Sequence, residues 1–501
     1  MKRFILLMLT IALAAVPVLS CASDGDNGQP ENRQTEAGNQ AAEAPGLETD
    51  AATDEEPAAE LRFPDLPDVN FGGYEFRIIN TGNDFLPWTL TTLVVEAETG
   101  IAVNDAIFRR NRRMEERFGF TLVQIIDTPN PAGARDAART SIMSASDDFD
   151  LAMMAPAQAL GLAQAGMLEM IDQIPNINLS NPWWCQDMIR DFSIGNRVFF
   201  TAGDFTLNHY SSTLPVFFNK VMHADLGLEC PYVLVKEGRW TLDRFGEQAR
   251  AALKDLTGDG TFGMDDRWGY LAPTHVYGIG ILNGIGARYV VKDADDLPVL
   301  NTTSEGFITR FLAAFDILTE GWLYDPFRPG AGGARTEAMF LNNQGLFWSE
   351  FMHTATVLRA MDNDFGILPF PKFDEQQEYH ISTVGFPHVM CIPVTTADLE
   401  RTGLILEALS AESRLSTLDV YFDTMLVNQL MNRDEESAEM FDIIFANRIY
   451  ETGREFWGGS ISNPLINAIR DGDGNIASII ERQEPAALAD IQRTIDTFLE
   501  N

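Results

Sequence analysis

The chain has 501 residues, and 45% of them are hydrophobic, so it is long enough and apolar enough to bury a large core. At about 100–200 residues per domain, this length predicts two or three folded units. The formal net charge is -37 at pH 7, which argues against a general affinity for nucleic acid or anionic lipid and favours neutral or cationic ligands.

The N-terminal segment is typical of an export signal. Lys2 and Arg3 precede an apolar run over residues 4–18, which is too short for a bilayer span of about 20 residues. The segment ends at Val18-Leu19-Ser20-Cys21, which resembles the lipobox of bacterial lipoproteins, where the cysteine is acylated, as with palmitate, and becomes the new N-terminus. We therefore predict a lipoprotein signal peptide over residues 1–21, lipidated at Cys21. The alternative is an ordinary secretory signal with an incidental cysteine.

Residues 22–61 have the composition of a tether. They are rich in Gly, Asn, Gln, Ala, Pro and acidic side chains. Arg33 is the one basic residue among them. Such a segment buries too little apolar surface to offset the entropy of ordering. Its like charges keep it extended. We predict a disordered acidic tether that holds a folded body away from a membrane.

The first part of the body alternates between strand and helix patterns. Residues 76–79 predict a buried strand, and a helix is predicted from Asn104, as its N-cap, to Gly119 at its end. Strands at 121–126 and 149–153 follow, with a helix-forming stretch between them. Strands joined through helices predict a parallel sheet with right-handed crossovers, that is, an α/β fold.

The rest of the body continues in the same style. Apolar runs predict strands at 216–218, 365–368 and 389–392. Helices are predicted at 241–256, 304–320 and 398–410, and a last helix is predicted to begin at Pro485. The three cysteines after Cys21 have neither CxxC nor zinc-site spacing, so we expect buried thiols at Cys185, Cys230 and Cys391.

Several stretches of the body, in this order and spacing, resemble the extracellular solute-binding proteins of bacterial ABC importers, in the carbohydrate-binding group that includes the maltodextrin-binding proteins. They are Val103-Asn104-Asp105-Ala106-Ile107, Val216-Phe217-Phe218-Asn219-Lys220, Gly238-Arg239-Trp240-Thr241-Leu242-Asp243, Glu337-Ala338-Met339-Phe340 to Phe347-Trp348, and Phe365-Gly366-Ile367-Leu368-Pro369-Phe370-Pro371-Lys372. The resemblance implies a periplasmic-binding-protein-like type II fold of two α/β lobes. Ligand would bind in the cleft, and the lobes would close over it by a hinge motion.

The resemblance also implies a division of the chain between the lobes. Lobe one is expected over residues 62–204 together with 370–425, and lobe two over 205–369 together with 426–501. The chain would cross between the lobes near residues 203–208, 369–371 and 423–429. The prolines at 369 and 371 fit a segment that redirects the chain outside a sheet centre.

A sugar cleft needs aromatic rings against the sugar faces and polar side chains for the hydroxyl groups. The resemblance places Asn83, Asp84 and Trp348 in the cleft. Local context adds further candidates after predicted strands or beside the crossings, and these are Trp88, Gln158, Glu350, Phe386 and Trp457. For each tryptophan the alternative is packing in the core.

Residues 255–266 follow the EF-hand calcium pattern. Oxygen donors fall at loop positions one, three, five and seven, glycine falls at six and an acid at twelve. The expected ligands of a structural Ca²⁺ are therefore Asp255, Thr257, Asp259, Thr261 and Asp266. Asp266 is shorter than the usual glutamate, and the alternative is a plain turn rich in Asp and Gly.

No hydrolase, metalloprotease or phosphate-loop motif occurs in the sequence, so we predict a binding protein without enzymatic activity and without a required cofactor. It would be anchored by its lipid at the outer face of the cell membrane, or in the periplasm of a diderm. There it would deliver a sugar or oligosaccharide to ABC permease subunits. A membrane-anchored glycoside hydrolase, with two carboxylates across a cleft, and a solute sensor or adhesion protein on the same fold are the alternatives.

Overall fold

A computed structural model describes residues 61–82, 89–126, 132–333, 335–425 and 436–500. The predicted signal peptide, Cys21 and nearly all of the predicted tether lie outside these residues. No helix in the described part of the chain is long and apolar enough to cross a membrane. Residues from Leu61 onward form one unit, and the description below concerns that unit alone.

The strands in chain order are β1 (Tyr74–Asn80), β2 (Phe120–Ile126), β3 (Leu151–Met154), β4 (Thr213–Leu214), β5 (Val216–Asn219), β6 (Trp268–Leu271), β7 (Val290–Lys292), β8 (Pro298–Leu300), β9 (Leu323–Tyr324), β10 (Gly345–Ser349), β11 (Phe365–Leu368), β12 (Ser382–Val384), β13 (Val389–Cys391) and β14 (Arg448–Ile449).

The helices are α1 (Ala102–Phe118), α2 (Gly133–Met143), α3 (Pro156–Ala163), α4 (Gln186–Phe192), α5 (Asn208–Ser211), α6 (Lys220–Asp225), α7 (Pro231–Lys236), α8 (Leu242–Ala252), α9 (Thr274–Gly284), α10 (Glu305–Thr319), α11 (Thr336–Leu341), α12 (Leu399–Glu412), α13 (Leu418–Met425), α14 (Glu436–Ala446), α15 (Thr452–Glu455), α16 (Ser462–Asp471) and α17 (Ile476–Glu500). A π-helical turn, Ser413–Thr417, joins α12 to α13.

Two larger sheets organise the fold. The first has the strand order β13-β3-β1-β2, and β1 runs parallel to both β2 and β3 while β13 is antiparallel. The second has the order β11-β5-β10-β6-β9, in which β10, β6 and β9 are parallel and β5 is antiparallel to its neighbours. The chain therefore leaves the first sheet after β3, builds the second, and returns to the first at β13. The lobe boundaries predicted at residues 204, 369 and 425 stay predictions.

A third, small sheet has the strand order β14-β12-β4. Its strand β4 is separated from β5 of the second sheet by Pro215 alone. Its strand β12 lies in the returning segment, between β11 of the second sheet and β13 of the first. This sheet is therefore covalently continuous with both larger sheets, and β7 and β8 pair as a separate hairpin.

Most predicted elements occur, and the deviations have local causes. Asn104 does not cap α1, which begins at Ala102, because the neighbouring Asp105 carboxylate accepts the backbone N–H groups of Thr99 and Gly100 instead. Gly119 ends the helix in the left-handed conformation, as expected.

The predicted start of the last helix at Pro485 is wrong, because α17 begins at Ile476. Pro485 lies inside α17 on its exposed side, and the buried residues on either side, such as Ile480 and Ile491, hold the helix together.

Arg110 on α1 is the most consequential buried polar residue. It is 1% exposed, and its guanidinium donates to the carbonyl oxygens of Leu93 and Phe205 at 3.0 and 2.9 Å and to the Ser413 hydroxyl at 3.2 Å. Burial lowers its pKa to about 9, while nearby Glu412 acts in the opposite direction, so the group stays charged at neutral pH. One side chain thus connects the loop after β1, the first crossing segment and the π-helical turn.

Replacing Arg110 with Met is expected to lower the free energy of unfolding by about 3 kcal/mol or more, because the buried Phe205 carbonyl and Ser413 hydroxyl would lose this charged donor. Arg109→Met is the matched control, since Arg109 lies on the same helix, is about half exposed and pairs with Glu98 at 2.8 Å. Its loss is expected to cost at most about 1 kcal/mol. Urea unfolding followed by tryptophan fluorescence measures both variants, and equal losses would contradict the role given to Arg110.

Candidate functional site

A cavity of about 480 Å³ opens where three parallel strands of the second sheet end. Its walls include residues that follow β6, β9 and β10 directly. Because parallel strands bring their carboxyl ends to one edge, open α/β sheets commonly bind ligands there. We call this cavity the aromatic pocket, and its lining residues are Pro273, His275, Pro326, Phe327, Gly333, Arg335, Thr336, Glu337, Glu350, Phe351, Thr354 and Phe386.

Aromatic rings form much of the pocket wall. The His275 ring lies 5.7 Å from that of Phe327 and 5.8 Å from that of Phe386, and Phe351 lies 5.8 Å from Phe386. Phe327 is 58% exposed and Phe386 37% exposed, so both rings retain apolar surface without a covering residue. The wall can therefore pack against the apolar face of a ligand.

Phe386 reaches the pocket from the small sheet, two residues after β12. Its φ angle is 51°, a left-handed conformation that a bulky residue rarely adopts. Such strain costs on the order of 1–3 kcal/mol and persists where the surrounding structure enforces it, often at functional sites. The conformation directs this ring to the pocket while the chain continues to β13.

Glu350 is the partly buried acid of the pocket, placed by the end of β10. Its pKa is raised to about 7, chiefly by burial and in part by nearby Glu337, whereas the Phe351 N–H and Arg335 act to lower it. Arg335 itself pairs with Glu337 at 2.9 Å. At neutral pH the Glu350 carboxyl can therefore both donate and accept hydrogen bonds.

His275 is the second polar group on the pocket wall. Burial lowers its pKa to about 4, with nearby Arg454 acting in the same direction, so the ring is neutral at physiological pH. A neutral imidazole offers one donor and one acceptor. The pocket thus combines ring faces with two titratable groups that can bond hydroxyl groups.

A buried polar network joins the pocket wall to the loop that follows β1. The Thr89 hydroxyl lies 2.6 Å from the Ser212 hydroxyl, and the Ser212 carbonyl accepts the N–H of Gly385 at 2.9 Å. Gly385 directly precedes Phe386. Asn208 donates to Thr89 at 3.0 Å and strengthens the same contact. The segment that follows β1 is therefore linked through Ser212 to the residue that precedes a pocket ring.

Of the residues predicted to bind ligand, Glu350 and Phe386 lie together in the aromatic pocket. Asn83, Asp84 and Trp88 lie outside the described residues. Gln158 lies on α3 and lines a different depression, which also contains Arg135 and Arg139 of α2.

Two predicted tryptophans belong to the core. Trp348 is fully buried and stacks between Phe217 and Phe340, at 5.2 and 5.4 Å, so its faces are not available to a ligand. Its indole N–H donates to the Thr336 hydroxyl at 3.2 Å, and Thr336 lines the pocket. Trp348 therefore supports the wall from behind.

Trp457 is also buried, and it is not among the pocket residues. Its indole N–H donates to the Thr494 hydroxyl of α17 at 3.1 Å.

Four pocket residues were not predicted from the sequence, and these are His275, Phe327, Phe351 and Glu337. The first three follow β6, β9 and β10, and since the sequence analysis predicted no strand at β6 or β9, it had no strand end from which to find His275 or Phe327.

The acids of the predicted calcium loop are directed to backbone amides. Asp255 accepts the N–H groups of Gly258 and Gly260, at 2.6 and 2.9 Å. Asp266 accepts those of Leu256, Thr257 and Gly263, at 2.8, 3.2 and 2.8 Å. Across the described residues, no group of three or more His, Cys, Asp or Glu side chains could hold a metal ion. The two carboxylates therefore close the loop through its own backbone N–H groups, and the Ca²⁺ site predicted here stays a prediction.

Comparisons with known proteins address the fold. No family model and no curated protein matches the sequence. Similar solved structures include an ABC substrate-binding protein of Listeria monocytogenes in complex with cycloalternan, which is 11% identical with a TM-score of 0.53 over 84% of this chain and 99% of that chain.

A solute-binding protein of an ABC transporter from Thermotoga lettingae, bound with α-D-tagatose, is 12% identical with a TM-score of 0.53 over 84% of this chain and 100% of that chain. UgpB from Mycobacterium tuberculosis, in complex with glycerophosphocholine, is 14% identical with a TM-score of 0.52 over 78% and 95%. At these identities the likeness shows the fold alone. It confirms the predicted fold class, that of the two-lobed solute-binding proteins.

Asp266→Ala is expected to lower the free energy of unfolding by about 2–3 kcal/mol, because a buried carboxylate would no longer accept three backbone N–H groups. Asp259→Ala is the control, since Asp259 accepts the single N–H of Thr261 at an exposed position. Thermal unfolding with and without Ca²⁺ measures both effects. A calcium-dependent rise in the melting temperature of the wild type that Asp266→Ala abolishes would support the calcium interpretation, and no change with Ca²⁺ would contradict it.

Proposed function

We propose that this chain is the solute-binding protein of an ABC importer and that it captures a sugar or oligosaccharide in the aromatic pocket. The observation that carries the proposal is the placement of ring faces and a partly buried carboxyl at the carboxyl edge of the second sheet. The fold supports it, since proteins of the same fold bind cycloalternan and α-D-tagatose.

The pocket chemistry suits a sugar ring. Phe327 and Phe386 would cover the weakly apolar faces of the ring, and Glu350 and His275 would bond its hydroxyl groups. Nothing in this proposal requires bond cleavage, so the solute would be released unchanged. Recovery of cleavage products would favour the hydrolase alternative.

Closure would involve the small sheet. Phe386 belongs to the segment that returns to the first sheet, so a ligand held against it would contact the crossing region as well as the second sheet. A ligand drives closure when it binds the closed state more tightly. We propose Asn83, Asp84 and Trp88 as the contribution of lobe one, and Gln158 as a more distant candidate.

Binding is tested with a thermal-shift screen of residues 62–501 against mono- and oligosaccharides, in which a ligand at about 100 times its Kd adds about 2.7 kcal/mol of stability. Phe327→Ala is expected to weaken binding of the best sugar about tenfold or more, because a stacking face is lost. Phe262→Ala is the matched control, an exposed phenylalanine outside the pocket. Equal affinities of the two variants, or a radius of gyration unchanged by the sugar, would contradict the proposal.

We also propose that Cys21 carries the lipid anchor and that residues 22–61 act as the tether, which would hold the body at the outer face of the membrane beside its permease. The sequence at residues 18–21 supports this. Cys21→Ser is expected to move the protein from the membrane fraction to the soluble fraction, because the acylated thiol would be missing. A variant that stays in washed membranes would show that another contact anchors it.

A further inference from the structure

We infer that the solute carries a protonated amine, and that this ammonium group binds at Glu350 beside the rings of Phe327, Phe351 and Phe386. The inference rests on the proposed function, because it names the chemical class of the solute that the aromatic pocket takes. The expected solute is thus an amino sugar or a similar polar amine, in contrast to a neutral sugar.

The first observation is the state of the Glu350 carboxyl. Its hydrogen bond comes from the backbone N–H of Phe351, at 3.3 Å. In the described part of the chain no basic side chain forms an ion pair with it, since Arg335 pairs with Glu337 and its side chain is 82% exposed. A partly buried carboxylate without a counter-ion is costly. Its raised pKa, caused first by burial, is the sign of that cost. A bound cation would offset the cost of burying this carboxylate.

The second observation is the aromatic wall. The faces of aromatic rings carry partial negative charge and attract cations within about 6 Å. Phe386 already accepts one cation in this way, because the Arg454 guanidinium lies 5.1 Å from its ring centre. The exposed surfaces of Phe327 and Phe386 remain available in the pocket. A carboxylate beside such rings recognises an organic ammonium better than a hydroxyl group.

The charges around the pocket are compatible with this ligand. Arg335 and Arg454 are the basic groups nearby, and each is bonded to an acid, Glu337 and Glu455 respectively. His275 is neutral because burial lowers its pKa to about 4. The formal net charge of the chain, -37, adds a long-range attraction for cations.

The test compares three disaccharides of one linkage by isothermal titration at pH 6.5. They are the β-1,4-linked glucosamine disaccharide, which carries amines, its N-acetylated form, and cellobiose, which has hydroxyl groups at the same positions. The amine is expected to bind at least tenfold more tightly than either neutral disaccharide. Glu350→Gln is expected to reduce that ratio to near one, and Glu247→Gln, an exposed acid of α8 outside the pocket, is expected to leave it unchanged.

The outcomes separate the inference from the proposed function. If neutral sugars bind as tightly as the amine, or if Glu350→Gln keeps the preference, the inference is wrong while the proposed function stands. If no saccharide of either kind binds, the proposed function fails as well. Because the comparison of the three ligands is made on the wild-type protein, it decides the matter even if the Gln variant folds poorly.

Discussion

The buried Arg110 guanidinium fixes the place where the chain leaves the first sheet. Its acceptors, the carbonyls of Leu93 and Phe205, lie outside the strands, and buried carbonyls need a donor. Arg110 therefore donates to two segments outside the strands, and Asn111 of the same helix also donates to the Leu93 carbonyl. The chain then enters α5, whose following residue accepts the hydrogen bond from Gly385 that helps to place Phe386 in the pocket wall. The site thus depends on a contact made in the first sheet's own helix layer.

Two local costs of this fold lie at the pocket. Phe386 has an unfavourable backbone conformation, and Glu350 is partly removed from water without a basic partner among the described residues. Glycine at position 386 would relieve the backbone strain, and glutamine at position 350 would remove the charge. Neither Phe386 nor Glu350 lies within a strand, so the sheets do not require these residue types. Retained strain and poorly compensated charge are expected where binding, and not stability, sets the requirement.

The sequence predicted the elements whose signals are local. The apolar run of β11 and the helices predicted from residues 304 and 398 occur where expected, and Ser304 and Asp398 cap these two helices. The pocket could be predicted in part, since Glu350 and Phe386 follow strands. The position of Trp348 could not be predicted. All residues of β10 are buried, and a strand that is covered on both faces has no alternating pattern of apolar and polar residues. The sequence therefore does not show to which face the Trp348 side chain points.

Phe386 is both a pocket ring and part of the segment that connects the two larger sheets, so under the proposed function solute preference and lobe closure would share one residue. Selection for a new ligand at this position would also change how the protein opens. Phe327 is different, since it lies in a loop in which Gly330, Gly332 and Gly333 adopt left-handed conformations and no strand depends on it. Under the proposed function, a change of specificity would therefore be most accessible through this loop, and biosensor engineering would start there.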